Sequence, residues 1–539
     1  MEANGPFGPL FRGSRTEVAR RAYQTRFFHR VCGTVLACIV LLALLRSPGT
    51  SLMLLAAGGG IVLLLAAGAA SRRKGELAPW HTLAIESEYR AGCGDGSFVD
   101  YLAREEQVFR ELEELLASPP SPDRADAICR FRTGSPADPA GYPTNWNRSF
   151  ELAPGDGEAR CGVLLLHGMS DSPYSLRALG ERLRRDGARV LGLRLPGHGT
   201  VPAALLELHR NDLTAAARLA LGHLGKSVEG RPLFLVGYSA GGALAVDLAL
   251  DTLEDAALPR ISGIALVSPS IGVTPLARLA VWLGRLGRFF GFERLAWVRI
   301  LPEFDPYKYQ SFPINAGHQV YRLAVAMARR LDRLGAAGKL ADLPPILAFQ
   351  SAVDDTVSTP ALIQELFARL PRGGHELVLF DINRMGLIES FIAKDPATEL
   401  AGLLHSLRMP VTLTVLANRD PLSLDVEARR HPAEEGGAET RGTGLAWPPG
   451  VHSLSHVALP FSPEDPIYGN APSPDREGAT YQIGNVVLRG ERGVLRIPES
   501  EQLRLRWNPF YPWLEERVAA FVQCRSHPPR GGGPEGAAD

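Results

Sequence analysis

Cysteine is scarce in this sequence, and neither sign of charge is in excess. Six cysteines occur in 539 residues, none in a CxxC pair or at the spacing of metal ligands, so the pattern predicts no zinc site. Basic and acidic residues balance at 58 each, which gives no reason to expect nucleic acid as a partner. With 45% hydrophobic and 22% charged residues, the composition is that of an ordinary globular chain.

Two runs without charge lie close to the N-terminus. Residues 31–45 form the first and residues 51–70 the second, and a bilayer span takes about 20 residues. Basic residues precede the first run and follow the second, whereas a single arginine lies between them. We therefore predict a transmembrane helical hairpin over 31–74, with both ends and the rest of the chain on the cytoplasmic side.

This membrane segment has an alternative interpretation. A basic segment before a short apolar core is also typical of a signal peptide or of a single signal anchor. A reporter fused after Asp539 distinguishes them, because activity only on the outer face would contradict the hairpin. On the hairpin interpretation, the membrane is an expected partner of the chain.

Composition and periodicity divide the rest of the chain. Residues 1–30 form a basic N-terminus that we place in the cytoplasm, and 75–143 form a helical linker region. The main domain spans 144–527. Residues 528–539 are rich in Gly and Pro and predict a disordered tail.

Short apolar runs alternate with helical patterns through the main domain. The strand-like runs are 162–166, 189–194, 233–236, 261–267, 346–349 and 377–380. Helical patterns separate them, for example between residues 203 and 224. This alternation predicts an α/β fold with a mostly parallel central sheet, right-handed crossovers and helices on its faces.

A serine between two glycines stands at one of these strand-to-helix turns. The run 233–236 leads into Gly237-Tyr238-Ser239-Ala240-Gly241, and a helical run follows. This context is typical of the nucleophile elbow of serine hydrolases, with Ser239 as the nucleophile. Gly237 and Gly241 are expected because the turn is strained and its backbone passes close to the next helix.

Backbone amides are expected to hold the oxyanion of such a site. One donor is the N–H of the residue after the nucleophile, Ala240, and the other comes from the loop after an earlier strand. His167-Gly168-Met169 directly follows the strand at 162–166, so Met169 is the second candidate. His167 precedes the serine, and we interpret it as a histidine that shapes this loop rather than as the base.

Three motifs in this order resemble the α/β-hydrolase superfamily: His167-Gly168, Pro196-Gly197-His198-Gly199 and the pentapeptide around Ser239. The chain is most similar to the branch of monoacylglycerol lipases and carboxylesterases, over about residues 145–525. The resemblance implies the α/β-hydrolase fold and a chain order of serine, acid and histidine. It also implies a helical cap over the active site, for which the long segment at about 270–343 is the candidate.

The first part of this cap segment mixes apolar, aromatic and basic residues over 276–294. A helix of this kind can lie in a membrane interface, or it can pack on the domain beneath it. The two interpretations are compatible if one face packs and the other contacts lipid.

The resemblance places the acid in the turn after the strand at 346–349. Asp354 matches that position best. Asp355 is the alternative, although we otherwise expect it to cap the following helix. Asp381, after the next strand, is a third candidate.

The position of the base departs from the family pattern. No histidine promptly follows the strand at 377–380, where the resemblance would place it. His456 lies in the stretch that best matches the histidine loop, 102 positions after Asp354, and His452 and then His405 are the alternatives.

This distance implies an insertion at about 385–450, before the histidine loop. Within it, residues 411–416 are strand-like, whereas 429–449 are rich in Gly, Glu and Pro and predict an exposed loop. The sequence assigns no role to this insertion.

The resemblance implies a serine hydrolase that cleaves carboxylic (acyl) esters through an acyl-enzyme. With the predicted hairpin at 31–74, we expect this hydrolase to be membrane-anchored and its substrates to be lipid-like. Ser239 would attack the carbonyl, His456 would carry the proton and Asp354 would orient His456. Neither a metal nor an organic cofactor is implied. A peptidase or an acyltransferase uses the same three groups, and an inactive membrane-tethered scaffold is the non-enzyme alternative.

Overall fold

The computed structural model describes most of the chain beyond residue 74. The described ranges are 75–92, 96–117, 127–155, 157–272, 293–386, 411–433, 437–470, 481–484 and 504–526, with single positions between 392 and 403. The predicted hairpin at 31–74, most of 276–294, His405 and the tail at 528–539 lie outside them. Among the helices within these ranges, none is long and apolar enough to cross a bilayer.

The chain divides into two compact units. The smaller comprises residues 1–76 and 283–296, of which the structure describes little beyond the 3-10 turn Glu293–Ala296. The larger comprises residues 77–282 and 297–539 and contains the helices and strands that follow.

Ten strands of the described residues form one sheet, and two further strands pair separately. They are β1 (Phe150–Leu152), β2 (Cys161–Leu166), β3 (Ala188–Leu193), β4 (Leu233–Tyr238), β5 (Gly263–Val267), the separate pair β6 (Trp297–Arg299) and β7 (Phe312–Pro313), β8 (Ile346–Ser351), β9 (Glu376–Phe380), β10 (Thr412–Asn418), β11 (Asp425–His431) and β12 (Glu439–Ala446). The order in the sheet is β1-β3-β2-β4-β5-β8-β9-β10-β11-β12. Pairing is parallel from β3 to β10 and antiparallel at both edges, which confirms the predicted mostly parallel sheet.

Helices cover both faces of this sheet. They are α1 (Phe98–Leu116), α2 (Arg177–Arg185), α3 (Arg210–Ser227), α4 (Ala240–Glu254), α5 (Ile314–Ala336), α6 (Thr359–Glu365) and α7 (Tyr511–Ser526). Along β2, Leu164 and Leu166 pack into a core with α3, α4 and α5, whereas Val163 and Leu165 pack into a second core with α2 and α7. Because side chains alternate along a strand, one apolar run supplies both cores.

Helix α5 lies in the range 270–343 that we predicted to form the cap. Its apolar face, including Leu323 and Met327, is buried in the same core as α4. The predicted cap is therefore wrong for α5, because the apolar stripe of this helix is continuous with the core of the sheet.

The insertion predicted at about 385–450 contributes three strands to the sheet. Strand β10 pairs in parallel with β9, and β11 and β12 return in an antiparallel hairpin. The prediction that 429–449 is a loop is thus wrong. Strand β12 lies at the sheet edge with mostly exposed side chains, so it lacks the apolar face by which strands are predicted.

The region predicted as a helical linker, 75–143, contains α1 and packs on the sheet domain. The Tyr101 hydroxyl donates to the carbonyl of Arg194 at 2.6 Å, and the Arg194 guanidinium pairs with the Glu88 carboxylate at 2.5 Å. Both charged side chains are buried, and removing one partner of a buried pair costs about 3–5 kcal/mol. The described residues of this region are therefore part of the folded domain.

Candidate active site

The carboxyl ends of neighbouring parallel strands meet at one edge of the sheet. Strand β2 leads there into His167, β4 into Ser239, β5 into Ser268, and β8 into the turn that carries Asp354. Open parallel sheets bind their ligands at this edge. The sheet topology thus brings together segments that are more than a hundred residues apart in sequence.

Ser239 has the backbone strain of a nucleophile elbow. Its φ is 54° and its ψ is −120°, between the end of β4 and the start of α4. A Cβ atom on Gly241 would lie 2.0 Å from the Leu166 carbonyl oxygen, and one on Gly237 would lie 2.4 Å from the Gly241 carbonyl oxygen. Both glycines are therefore required, because a side chain at Gly241 would collide with the end of β2 and one at Gly237 with the first turn of α4.

A chain of hydrogen bonds joins the three residues that we predicted as nucleophile, base and acid. Nδ1 of His456 lies 2.8 Å from Oδ2 of Asp354, and Nε2 of His456 lies 2.9 Å from Oγ of Ser239. A carboxylate only accepts hydrogen bonds, so Nδ1 carries the ring proton of neutral His456. Nε2 then accepts the hydrogen of the Ser239 hydroxyl, which is the arrangement that a general base needs.

Asp354 is held by donors on every side. Oδ1 accepts from the N–H groups of Thr356 at 2.8 Å and Val357 at 2.9 Å, and Oδ2 also accepts from Nε2 of Gln350 at 3.0 Å. Burial acts to raise the pKa of Asp354, but attraction to a protonated His456 ring and the hydrogen bonds from His456, Val357 and Thr356 outweigh it and lower the pKa. The carboxylate therefore stays ionised next to His456.

The alternative aspartates lie apart from this chain of hydrogen bonds. The Asp355 side chain is 67% exposed and pairs with Arg504. Helix α6 is capped by the Ser358 hydroxyl, so the capping role that we predicted for Asp355 is wrong. Asp381 pairs with Arg384 instead.

The alternative histidines differ in position from His456. His452 is exposed, and its backbone carbonyl accepts a hydrogen bond from the N–H of Asn383 at 2.7 Å. His405 lies outside the described residues. His456, in contrast, is buried in a 3-10 turn, with its ring between Asp354 and Ser239.

His167 fixes the loop after β2. Its Nδ1 donates to the Gly168 carbonyl at 2.8 Å, and its Nε2 accepts from the N–H of Leu195 at 3.0 Å. Burial and the neighbouring His198 lower the pKa of His167 well below its ordinary value, so the ring is neutral and both nitrogens are used. The contacts fit the predicted loop-shaping role.

The two backbone amides predicted to hold an oxyanion are those of Met169 and Ala240. They directly follow Gly168 and Ser239, two residues that lie close together. A Cβ atom on Gly168 would lie 3.1 Å from Cβ of Ser239, so the loop that carries Met169 lies directly against Ser239. Ala240 is the first residue of α4, where N–H groups have no helical partner. Among the described residues, neither the Met169 nor the Ala240 N–H donates a hydrogen bond.

A second serine lies beside Ser239 that the sequence had not indicated. The hydroxyl oxygens of Ser270 and Ser239 are 3.1 Å apart, and Ser270 is 6% exposed. The available signal was its place three residues after β5, the strand that neighbours β4.

No group of three or more His, Cys, Asp or Glu residues in the described ranges could hold a metal ion.

Comparisons with known proteins match part of the main domain, including Ser239 and Asp354. The family described as Hydrolase_4, "Serine aminopeptidase, S33", matches residues 157–383. The matched stretch contains Ser239 and Asp354 and ends before the strands β10–β12 and His456. The similarity therefore stops where the sequence departs from the expected spacing.

Individual relatives are similar over part of the main domain. A thermostable monoacylglycerol lipase from Bacillus sp. (strain H-257) is 28% identical over 196 residues, which are 36% of this chain and 71% of the lipase. The magnesium-chelatase 30 kDa subunit of Rhodobacter capsulatus is 34% identical over 142 residues, 24% of this chain and 46% of that protein. A solved structure, the monoacylglycerol lipase of Paleococcus ferrophilus, is 18% identical with a TM-score of 0.33, covering 48% of this chain and 96% of that one.

Proposed function

Because this chain is an α/β-hydrolase of the serine ester hydrolase branch, we propose that it cleaves acyl esters of lipid-like substrates at Ser239. The observation that carries the proposal is the continuous path of hydrogen bonds from Asp354 through His456 to Ser239, with contacts of 2.8 and 2.9 Å. A serine hydroxyl is a weak nucleophile without such a base and its orienting acid.

The proposed reaction has two halves. Oγ of Ser239 attacks the ester carbonyl carbon while its proton passes to Nε2 of His456. The intermediate then breaks its bond to the alcohol oxygen, which takes that proton and leaves an acyl-enzyme. Water attacks the acyl carbon, gives a proton to His456 and releases the acid, while Ser239 regains its hydrogen.

Two amides are proposed to stabilise the negative oxygen of each tetrahedral intermediate. The Gly168–Met169 peptide is trans, so its N–H points opposite to the carbonyl that His167 holds. His167 thereby orients the Met169 N–H, and the Ala240 N–H at the start of α4 adds the positive end of the helix dipole. Preorganised donors of this kind stabilise developing charge strongly.

A lipid-like acyl group is supported by one relative and by the chain's N-terminus. The Bacillus relative is named a monoacylglycerol lipase, and it is similar over 36% of this chain. We propose that residues 31–74 anchor the chain in a membrane with the hydrolase domain on the cytoplasmic face, where an amphiphilic ester would partition.

A peptidase is the second candidate function, since the matching family is described as a serine aminopeptidase. The same three residues cleave amides, in which His456 would protonate an amine rather than an alcohol. The two functions differ in the leaving group, so they are distinguished by comparing nitrophenyl esters with nitroanilide amides as substrates.

A substrate series tests the proposed function. Purified full chain in detergent is assayed with p-nitrophenyl acetate, butyrate and octanoate, and with aminoacyl p-nitroanilides, beside the Ser239→Ala variant. We expect kcat/KM to rise from acetate to octanoate, because a site for a lipid-like acyl chain gains about 0.8 kcal/mol of binding free energy per buried methylene. We also expect no turnover of the anilides. Preference for acetate would contradict the lipid-like substrate, and turnover of anilides alone would favour the peptidase.

A further inference from the structure

Two backbone hydrogen bonds hold the loop after β5 against the turn that carries Ser239. The Ser239 N–H donates to the Val267 carbonyl at 3.0 Å, and the Ser270 N–H donates to the Ser239 carbonyl at 2.9 Å. Between them, Ser268 has a φ of 42°, a conformation that non-glycine residues rarely adopt. This short strained loop fixes the Ser270 hydroxyl against the Ser239 hydroxyl.

The direction of the Ser239–Ser270 hydrogen bond follows from the rest of the site. The Ser239 hydroxyl has one hydrogen, and His456 Nε2 accepts it, because Nδ1 of the same ring donates to Asp354. Ser239 Oγ can therefore only accept across the 3.1 Å contact. The Ser270 hydroxyl is the donor, and it points its hydrogen at the oxygen that reacts.

We propose that Ser270 is a further catalytic residue, whose hydroxyl stabilises the negative charge that develops on Ser239 Oγ. The inference rests on the proposed function of Ser239. As His456 removes the proton, Oγ gains charge, and a hydrogen bond to a charged oxygen is roughly twice as strong as one to a neutral oxygen. The bond therefore favours the transition state over the ground state.

The same contact acts again when the acyl-enzyme breaks down. Ser239 Oγ is a weak acceptor while it is an ester oxygen, and it becomes a strong one as it leaves the tetrahedral intermediate. Ser270 donates to this leaving oxygen until His456 returns the proton. No proton is transferred from Ser270, so the reaction stays balanced as written above.

Ser270→Ala tests the proposal, with Ser268→Ala as its matched control. Both variants remove one buried hydroxyl from the same loop and keep Cβ, but Ser268 Oγ has no hydrogen-bond partner among the described residues. The measurement is the second-order rate of labelling by a fluorophosphonate probe, together with the steady-state rate on p-nitrophenyl butyrate, for full chains of equal melting temperature. We expect Ser270→Ala to be slower by about tenfold in both, and Ser268→Ala to lie within about twofold of the wild type.

A second variant keeps the test decisive if Ser270→Ala does not fold. Ser270→Cys is nearly isosteric, and its thiol is a weak donor, so it should also slow labelling several-fold. Equal labelling rates for the Ser270 variants and Ser268→Ala would overturn the role of Ser270 while leaving Ser239 as the nucleophile. A wild type that the probe does not label would overturn the proposed function itself, and the role of Ser270 with it.

Discussion

Replacing His456 by alanine is expected to lower kcat/KM for ester hydrolysis by about 10⁴-fold or more, since loss of one member of such a triad removes nearly all of its contribution. The physical reason is that Ser239 would lose the imidazole that is placed to take its proton, at 2.9 Å. The initial rate on p-nitrophenyl butyrate, compared with the wild type at equal protein concentration, measures the effect.

His452→Ala is the matched control for this variant, because it removes a histidine from the same loop. His452 is exposed and takes no part in the hydrogen bonds to Ser239 or Asp354. We expect activity close to that of the wild type. A large loss in His452→Ala with near-normal turnover in His456→Ala would show that the assignment of the base is wrong.

Replacing Asp354 by asparagine is expected to lower kcat by about 10⁴-fold with little change in fold, because the base is then held in the wrong tautomer. All four groups around this carboxylate donate hydrogen bonds, and an amide has only one oxygen to accept them. If that oxygen keeps the Thr356 and Val357 amides, the new NH₂ group faces His456. Nδ1 must then accept, and Nε2 carries the proton and cannot receive one from Ser239.

Asp355→Asn is the matched control for the acid. Its side chain is largely exposed and pairs with Arg504 at the surface, where a single substitution changes stability by about 0.5 kcal/mol or less. We expect kcat within twofold of the wild type. Comparable losses in both variants, with both still folded, would mean that the acid has been placed in the wrong position of the turn.

The parts of the fold that could be predicted are those encoded by local pattern. Each central strand is buried on both faces, so its sequence is a continuous apolar run. The strained turn at Ser239 requires glycines two residues before and two residues after the serine. Strand β12 was missed because an exposed edge strand has no apolar face. Helix α5 was assigned to the cap because it lies in the long segment at about 270–343, and the sequence does not show what covers the apolar face of a helix.

Candidate site residues could be proposed one by one from the sequence, but their spatial arrangement could not. His456 could be ranked above His452 by resemblance alone, since nothing local indicates that β10, β11 and β12 would extend the sheet and return the chain to Ser239. Ser270 was missed for a related reason. Its contact depends on two parallel strands being neighbours, and such contacts leave no periodic signal in the sequence.

The packing of residues 75–143 on the sheet domain could not be predicted from the sequence either. The buried pair of Arg194 and Glu88 joins residues 106 positions apart, and each residue alone would be read as solvent-exposed. Long-range pairing of this kind is decided by the folded structure rather than by local propensity.

One measurement bears on Ser239 without any knowledge of the substrate. Purified full chain is treated with a fluorophosphonate probe, digested, and mapped by tandem mass spectrometry, beside Ser239→Ala. The hydrolase proposed above predicts a single adduct on the Oγ of Ser239, which disappears in the variant although the variant melts at the same temperature. An unlabelled wild type, or an adduct on another serine that persists in Ser239→Ala, would contradict the assignment of Ser239 as the nucleophile.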